Sequence, residues 1–314
     1  MQASDYQQLK QDISIPRLSS YQHFFKPTEI IELYNYYCWN AEISSTFFQL
    51  IGVVEVTLRN KVHQALSSHY YNPKSKGSVD SNDWYNFLDL NKHSKDKILS
   101  ATHRRKKGTW QPKNPPLSHD DAISRMTYGF WPKILDIQKD INGNPVPWGR
   151  IIPLIIPKHR YKTEGYWKKI KHQDQLYSRL EQIGSLRNRI AHFEPIWKQG
   201  DLFEETRERQ NKIPKLIAYA PVNSDEAKNR LKLTHERILE LLGWLSSARL
   251  KSYKHSHNYH KLNWLLSNDG MPLKTPTKTT PTLFKRNLRS ILKNKETISI
   301  HRDGIVTGIF YSSN

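Results

Sequence analysis

The sequence predicts an all-α protein: a bundle of helices followed by a small basic C-terminal extension. Three observations lead there. Apolar residues recur at spacings of three and four along residues 27–68, 173–192 and 224–250, the period of an amphipathic helix. Prolines and turn-forming residues cluster between these stretches. The one segment patterned like a strand pair is short and lies near the C-terminus.

The first 24 residues read as an N-terminal arm, residues 25–250 as the helical domain, and residues 251–314 as a basic linker and extension. In the first long stretch Phe47, Ile51, Val54, Leu58, Val62 and Ala65 form the apolar stripe. Glu55, Arg59 and His63 follow one another at i, i+4 and i+8, so they line one edge of that helix. A polar break follows at residues 67–83, and then a basic segment at residues 92–113. This segment holds eight Lys and Arg against one Asp, with Arg104-Arg105-Lys106-Lys107 at its centre. Residues 120–138 carry Met126, Tyr128, Phe130, Trp131 and Leu135, and Pro132 is expected to kink or split a helix there. The loop at 141–145 is dense in turn formers.

Helix returns at 173–192 with Leu176, Leu180, Ile183 and Ile190 on one face, and Pro195 limits its C-terminal end. A last long helix spans 224–250, capped by Asn223 or Ser224, with Leu231, Ile238, Leu241, Leu242 and Leu245 as its stripe. The tail then reads as an extended linker at 275–282, a short basic helix at 283–293 and a hairpin at 297–310 turning at Asp303-Gly304.

The chain has 314 residues and a formal net charge of +20. Hydrophobic residues are sparse at 37%, but aromatic residues at 11% supply large apolar areas for a core. A surface this positive attracts polyanions, nucleic acid first and anionic membrane second. No segment is expected to supply the roughly 20 apolar residues of a membrane span, and Met1-Gln2-Ala3-Ser4-Asp5 has no apolar signal core. The expectation is a cytoplasmic protein without a membrane partner. Cys38 is the sole cysteine and lies among Tyr34, Tyr36, Tyr37 and Trp39, a packing environment rather than an activating one. His255, His257 and His260 cluster without a nearby carboxylate or cysteine, so the sequence calls for no metal and no other cofactor.

The run Arg187-Asn188-Arg189-Ile190-Ala191-His192 carries the candidate chemistry. Asn188 and His192 share a helix face. Arg187 and His192 lie about 140° apart on an ideal helix, and converge only if the helix ends near His192. Histidine moves protons near neutral pH, and arginine holds a phosphate and stabilises charge building on it. RNA supplies its own nucleophile, the 2′-hydroxyl. The spacing alone favours a solvated helix end with a histidine stabilised by the helix dipole.

The fuller string Leu186-Arg187-Asn188-Arg189-Ile190-Ala191-His192-Phe193-Glu194-Pro195-Ile196 resembles the signature of the Abi-like proteins, abortive-infection relatives within the HEPN superfamily. Glu55-Val56-Thr57-Leu58-Arg59-Asn60 resembles the family's first helix, and Tyr128-Gly129-Phe130-Trp131 its Gly-Phe-Trp segment. The three matches stand in the family's order. The resemblance implies a HEPN-like helical bundle with helical elaborations, usually a homodimer whose motifs meet in one cleft. It implies metal-independent RNA cleavage in phage defence or as a toxin, with tRNA among the candidate targets and an antitoxin as a further partner. His192 would be the general acid/base, Arg187 would bind phosphate and Asn188 would position. Many relatives carry a second histidine where this chain has Phe193.

Glu55 then has two readings: an ion pair with Arg59, or a reach across the bundle to Arg187 or His192. Arg59, Asn60, Arg189 and the Arg104–Lys107 run are the expected RNA contacts, and His63 is a weaker site candidate. Basic residues interleaved with Trp110, Tyr161, Tyr166 and Trp167 suit single-stranded RNA, or form the solvated surface of a chain basic throughout. The alternative function is a non-catalytic RNA-binding or partner-binding module, and a third is DNA binding through the tail.

Overall fold

A computed structural model describes residues 3–72, 76–208, 213–268, 270–272 and the strands at 298–302 and 305–310. Among the described residues there are twelve α-helices and three two-stranded antiparallel ribbons. The all-α expectation holds.

The helices are α1 (Ala3–Ile13), α2 (Ile15–Phe25), α3 (Ile30–Tyr70), α4 (Lys92–Thr102), α5 (His119–Ser124), α6 (Phe130–Leu135), α7 (Trp148–Ile155), α8 (Glu164–Trp167), α9 (Ile170–Ala191), α10 (Ser224–Leu245), α11 (Ser247–Lys254) and α12 (His257–Leu265). The ribbons pair β1 (His103–Lys106) with β2 (Thr109–Pro112), β3 (Leu202–Phe203) with β4 (Leu216–Ala218), and β5 (Ile298–Arg302) with β6 (Ile305–Phe310). The last ribbon is the hairpin expected at 297–310. The linker at 275–282, the basic helix at 283–293 and the Asp303-Gly304 turn lie outside the described residues.

Helix α3 is the axis of the fold. Its 41 residues span about 60 Å at 1.5 Å each. Trp39, Ile43, Phe47, Leu50, Val54, Leu58 and Val62 are fully buried along it, against α2, α7, α9, α10 and α12. Its most apolar window has a mean hydropathy of 1.3, long and apolar enough by composition to cross a bilayer, contrary to the expectation for this chain. In the fold 44% of that window is buried inside the protein. The indole of Trp39 donates to the Leu265 carbonyl at 2.8 Å, which fastens α12 to α3.

Packing runs past the boundaries expected at 24 and 250. Leu18 and Tyr21 of α2 are buried, and Tyr21, Phe24 and Phe25 all contact the Trp197 ring. Leu262 and Leu265 of α12 are buried as well. The segment expected to break at Pro132 breaks earlier, at residues 125–129. Pro132 sits in the first turn of α6, where its missing N–H would have had no helical acceptor. The last long helix stops at Leu245, and Ser246 caps α11 by accepting from the Arg249 N–H. Asn223 caps α10, accepting from Glu226 at 2.9 Å.

One buried group ties the core to pH. His235 of α10 lies edge-on to Phe47 and beside Tyr259, and its Nε2 finds no hydrogen-bond partner. Burial, helped by Lys254, pushes its pKa down to about 4. The unfolded chain binds this proton below about pH 6.5, whereas the folded chain holds out to about 4. Stability is therefore lost as pH falls through that window, by up to about 1.4 kcal/mol per unit. His235→Leu is expected to remove this slope. Urea melts of both proteins from pH 7 to pH 4.5 should show the variant gaining on the wild type as pH drops. Parallel stability curves would count against it.

Candidate functional site

The candidate site forms where α9 ends. His192 is the C-cap of α9, and the turn after it is fixed by backbone bonds from Phe193 N–H to the Ile190 carbonyl (3.0 Å) and from Glu194 N–H to the Arg189 carbonyl (2.9 Å). This is the Schellman pattern, in which the residue after the cap takes the left-handed conformation. Glycine usually occupies that place. Here it is Phe193, at φ 55° and 78% exposed.

The segment beyond the turn is clamped. The Ile196 N–H donates to the buried Asn40 Oδ1 of α3 at 3.0 Å. Arg17 donates to the Phe193 carbonyl at 3.4 Å. Arg189 holds the same turn, with its Nε 3.3 Å from Glu194 and its Nη2 on the Pro195 carbonyl. The guanidinium expected to contact RNA is thus engaged within the chain.

Glu55 faces the start of this region from α3. It is half-buried, and desolvation pushes its carboxyl above the usual range against the opposing pull of Arg187, Arg59 and the Tyr128 N–H. Arg187 and Arg59 both favour its charged form, and among the described residues neither forms an ion pair with it. Arg59 extends elsewhere, donating to the Ser124 carbonyl at 3.2 Å and to Asn60 Oδ1 at 3.4 Å. Arg187 lies 3.5 Å from Asn188 Oδ1.

Glu181, Gly184, Asn188 and His192 follow one face of α9 and form one wall of an open cleft of about 410 Å³. Tyr128, Gly129, Pro132 and Lys133 form another, so Gly129 of the Gly-Phe-Trp segment meets Asn188 and His192 there, while Arg187 lies outside the lining. The approach is close because of Gly184, whose missing Cβ would stand 3.3 Å from the Tyr128 ring. Tyr128 is anchored by its hydroxyl, which donates to the Leu180 carbonyl at 3.2 Å.

Two cations that sequence reasoning missed also line the cleft, Lys97 of α4 and Lys133 of α6. Burial lowers the Lys97 pKa, with Lys133 and Arg187 adding repulsion. Lys97, Lys133 and Arg189 line the cleft against Glu181 and Glu194, and Arg187 adds positive charge from nearby, a balance that favours a polyanion. The sequence signal was slight: Lys97 falls in the flagged basic segment, and Lys133 follows the Gly-Phe-Trp match.

The Arg104–Lys107 run is not in the cleft. It forms β1 and the turn of a hairpin that continues directly from α4. Lys107 and Gly108 both take positive φ, 48° and 82°, as a two-residue hairpin turn demands. Trp110 lies across from Arg105 and is 41% exposed. The aromatics at 158–172 behave differently. Tyr161 stacks on Tyr166 at 4.1 Å, Tyr166 on His172 at 3.6 Å, and Arg160 covers Tyr161. Their faces are occupied by one another.

His63 has a structural post. It is buried, its Nδ1 accepts from the Trp84 indole at 2.7 Å, and its Nε2 faces Ser81 and Asp120. This pins the 76–86 loop and α5 against α3. Cys38 is half-buried, and burial raises its thiol pKa.

No curated protein and no solved structure matches the chain. The model of the family described as "Abi-like protein" matches residues 2–198, a span from α1 through the clamped segment after His192. It contains every residue of the cleft and more than half of the chain, and this chain belongs to the Abi-like protein family.

Proposed function

We propose that this protein is a metal-independent endoribonuclease of the HEPN type that acts in abortive infection or as a toxin. The observation that carries the reading is the cleft in which Asn188 and His192 of α9 stand beside Lys97 and Lys133, with Arg187 near enough to act on both Lys97 and Glu55. In the reaction an RNA 2′-oxygen attacks the adjacent phosphorus and the bond to the 5′-oxygen breaks. His192 takes or returns the proton, Arg187 stabilises charge on the phosphate, and Asn188 positions. Glu55 attracts Arg187 from the facing helix. The products are a 2′,3′-cyclic phosphate end and a 5′-hydroxyl end. Purified protein should make them from RNA in EDTA. RNA binding without product under those conditions would favour the non-catalytic module.

The basic hairpin β1–β2 is suited to carry the RNA strand, with Arg104, Arg105, Lys106 and Lys107 on phosphates and Trp110 under a base. A second copy of the chain is suited to the bare face of α3. Ala41, Ser45, Phe48, Gly52 and Val56 form one stripe there, with Phe48 46% and Val56 42% exposed. The stripe continues through a 290 Å³ groove onto Phe193, next to His192. Pairing across it would bring two His192 side chains toward one another.

Phe193→Gly tests that surface. Relief of the left-handed backbone is expected to stabilise the monomer by about 1 kcal/mol, while loss of the ring weakens self-association. Melting curves and sedimentation velocity read the two effects separately. Unchanged association would remove Phe193 from the interface.

A further inference from the structure

A second cavity, of about 390 Å³, lies between α9, α10 and the β3–β4 ribbon. It adjoins the cleft along α9, sharing Ser185 and Arg189 with it. One wall is α10, beyond the residues matched by the family.

Its lining is rich in arginine. Four arginines line it, Arg179, Arg189, Arg230 and Arg237, against Asp201 and Glu204. Arg179 is held by Glu205 and Glu240, and Arg189 by Glu194. Arg230 is only 8% exposed, yet its guanidinium donates to two neutral groups, the Gly200 carbonyl at 3.1 Å and the Tyr219 carbonyl at 2.8 Å. Among the described residues no carboxylate stands within ion-pair distance of it. Asp201, nearby, accepts from the Ala220 N–H. Arg237 reaches Gln182 and, at 3.5 Å, the Glu205 already bound by Arg179.

A buried guanidinium without a counter-charge is costly unless an anion arrives. Burial and the nearby Arg237 oppose the charge of Arg230 and outweigh the pull of Asp201. The rest of the recess offers Ile183, Leu186, Leu202, Phe203 and Ile238 as an apolar wall. Its volume falls within the range of small-molecule sites. We propose that this cavity binds a nucleotide, its phosphate on Arg230 and Arg237 and its base on the apolar wall. Inorganic phosphate would meet only the cationic half of the site.

The proposal does not depend on RNA cleavage. Full-length protein is titrated calorimetrically with AMP, GMP, CMP and UMP, with adenosine and with inorganic phosphate, and melted with each. At least one nucleotide is expected to bind one to one and raise the melting temperature, with adenosine and phosphate at least tenfold weaker. Arg237→Gln should reduce that affinity at least tenfold. Its melting without ligand should show that the fold survives, and Arg230→Lys provides a second charge-retaining comparison. Lys97→Ala/Lys133→Ala, which alters only the cleft, should bind like the wild type. The proposal is overturned if no nucleotide binds, if phosphate binds as tightly as nucleotides, or if affinity is lost in the cleft variant and kept in Arg237→Gln.

Discussion

His192→Ala should lose RNA cleavage by roughly 10²- to 10⁴-fold, the usual worth of a positioned acid/base, while folding as the wild type does. The second half follows from position. His192 is exposed at the end of α9, and its backbone N–H makes the capping bond to the Asn188 carbonyl at 3.0 Å. Alanine retains that bond. Removing an exposed side chain at such a place changes stability by about 0.5 kcal/mol or less. Cleavage is measured on end-labelled RNA in EDTA, and the fold by circular dichroism and thermal melting. Equal cleavage by both proteins would end the proposal that His192 moves the proton. Loss of cleavage with lost RNA affinity would shift His192 from chemistry to binding.

Arg179→Leu should be the most damaging single substitution outside the aromatic core, by about 3–5 kcal/mol. Arg179 is buried on α9 and joins three elements. Its Nε and Nη2 hold Glu205 at 2.9 and 2.6 Å, its Nη1 pairs with Glu240 of α10, and its guanidinium lies 4.6 Å from the Trp244 ring centre. The Glu205 side chain is only 15% exposed, so loss of its main partner leaves a nearly buried carboxylate with Arg237 alone. Most of the penalty belongs to that stranded charge. Adding Glu205→Gln to Arg179→Leu should therefore recover part of the loss in urea melts. A double variant no more stable than the single one would place the penalty in packing on Trp244 instead.

Periodicity marked α3, α9 and α10 because each has enough turns for an apolar stripe to stand out. The nearness of Glu55 to Arg187, enough for each to feel the other's charge, was legible for a related reason: helices fix where a residue points, so two motifs on helices can be set against each other. The hairpin at 103–112 was not legible. Its strands are nearly all polar and exposed, so no alternation records a buried face, and Lys107-Gly108 is a faint turn signal. Helices α1 and α2 are short, and Trp197, the partner of α2, lies far along the chain. The Lys97–Lys133 pairing in the cleft has no linear trace. Their nearness arises because α4 and α6 both border the cleft, which no local spacing encodes. Pro132 misled because proline breaks a helix interior but suits a first turn.

The central position of α3 also sets the order of events during synthesis. Its last residue, Tyr70, leaves the ribosome long before α10 begins at Ser224. At about 5–20 residues per second, the intervening chain takes on the order of 8–30 seconds to make. Through that interval Phe47, Leu50 and Val54 wait without α10 and α12. A nascent chain with so long an uncovered apolar ridge is a natural client for holding chaperones.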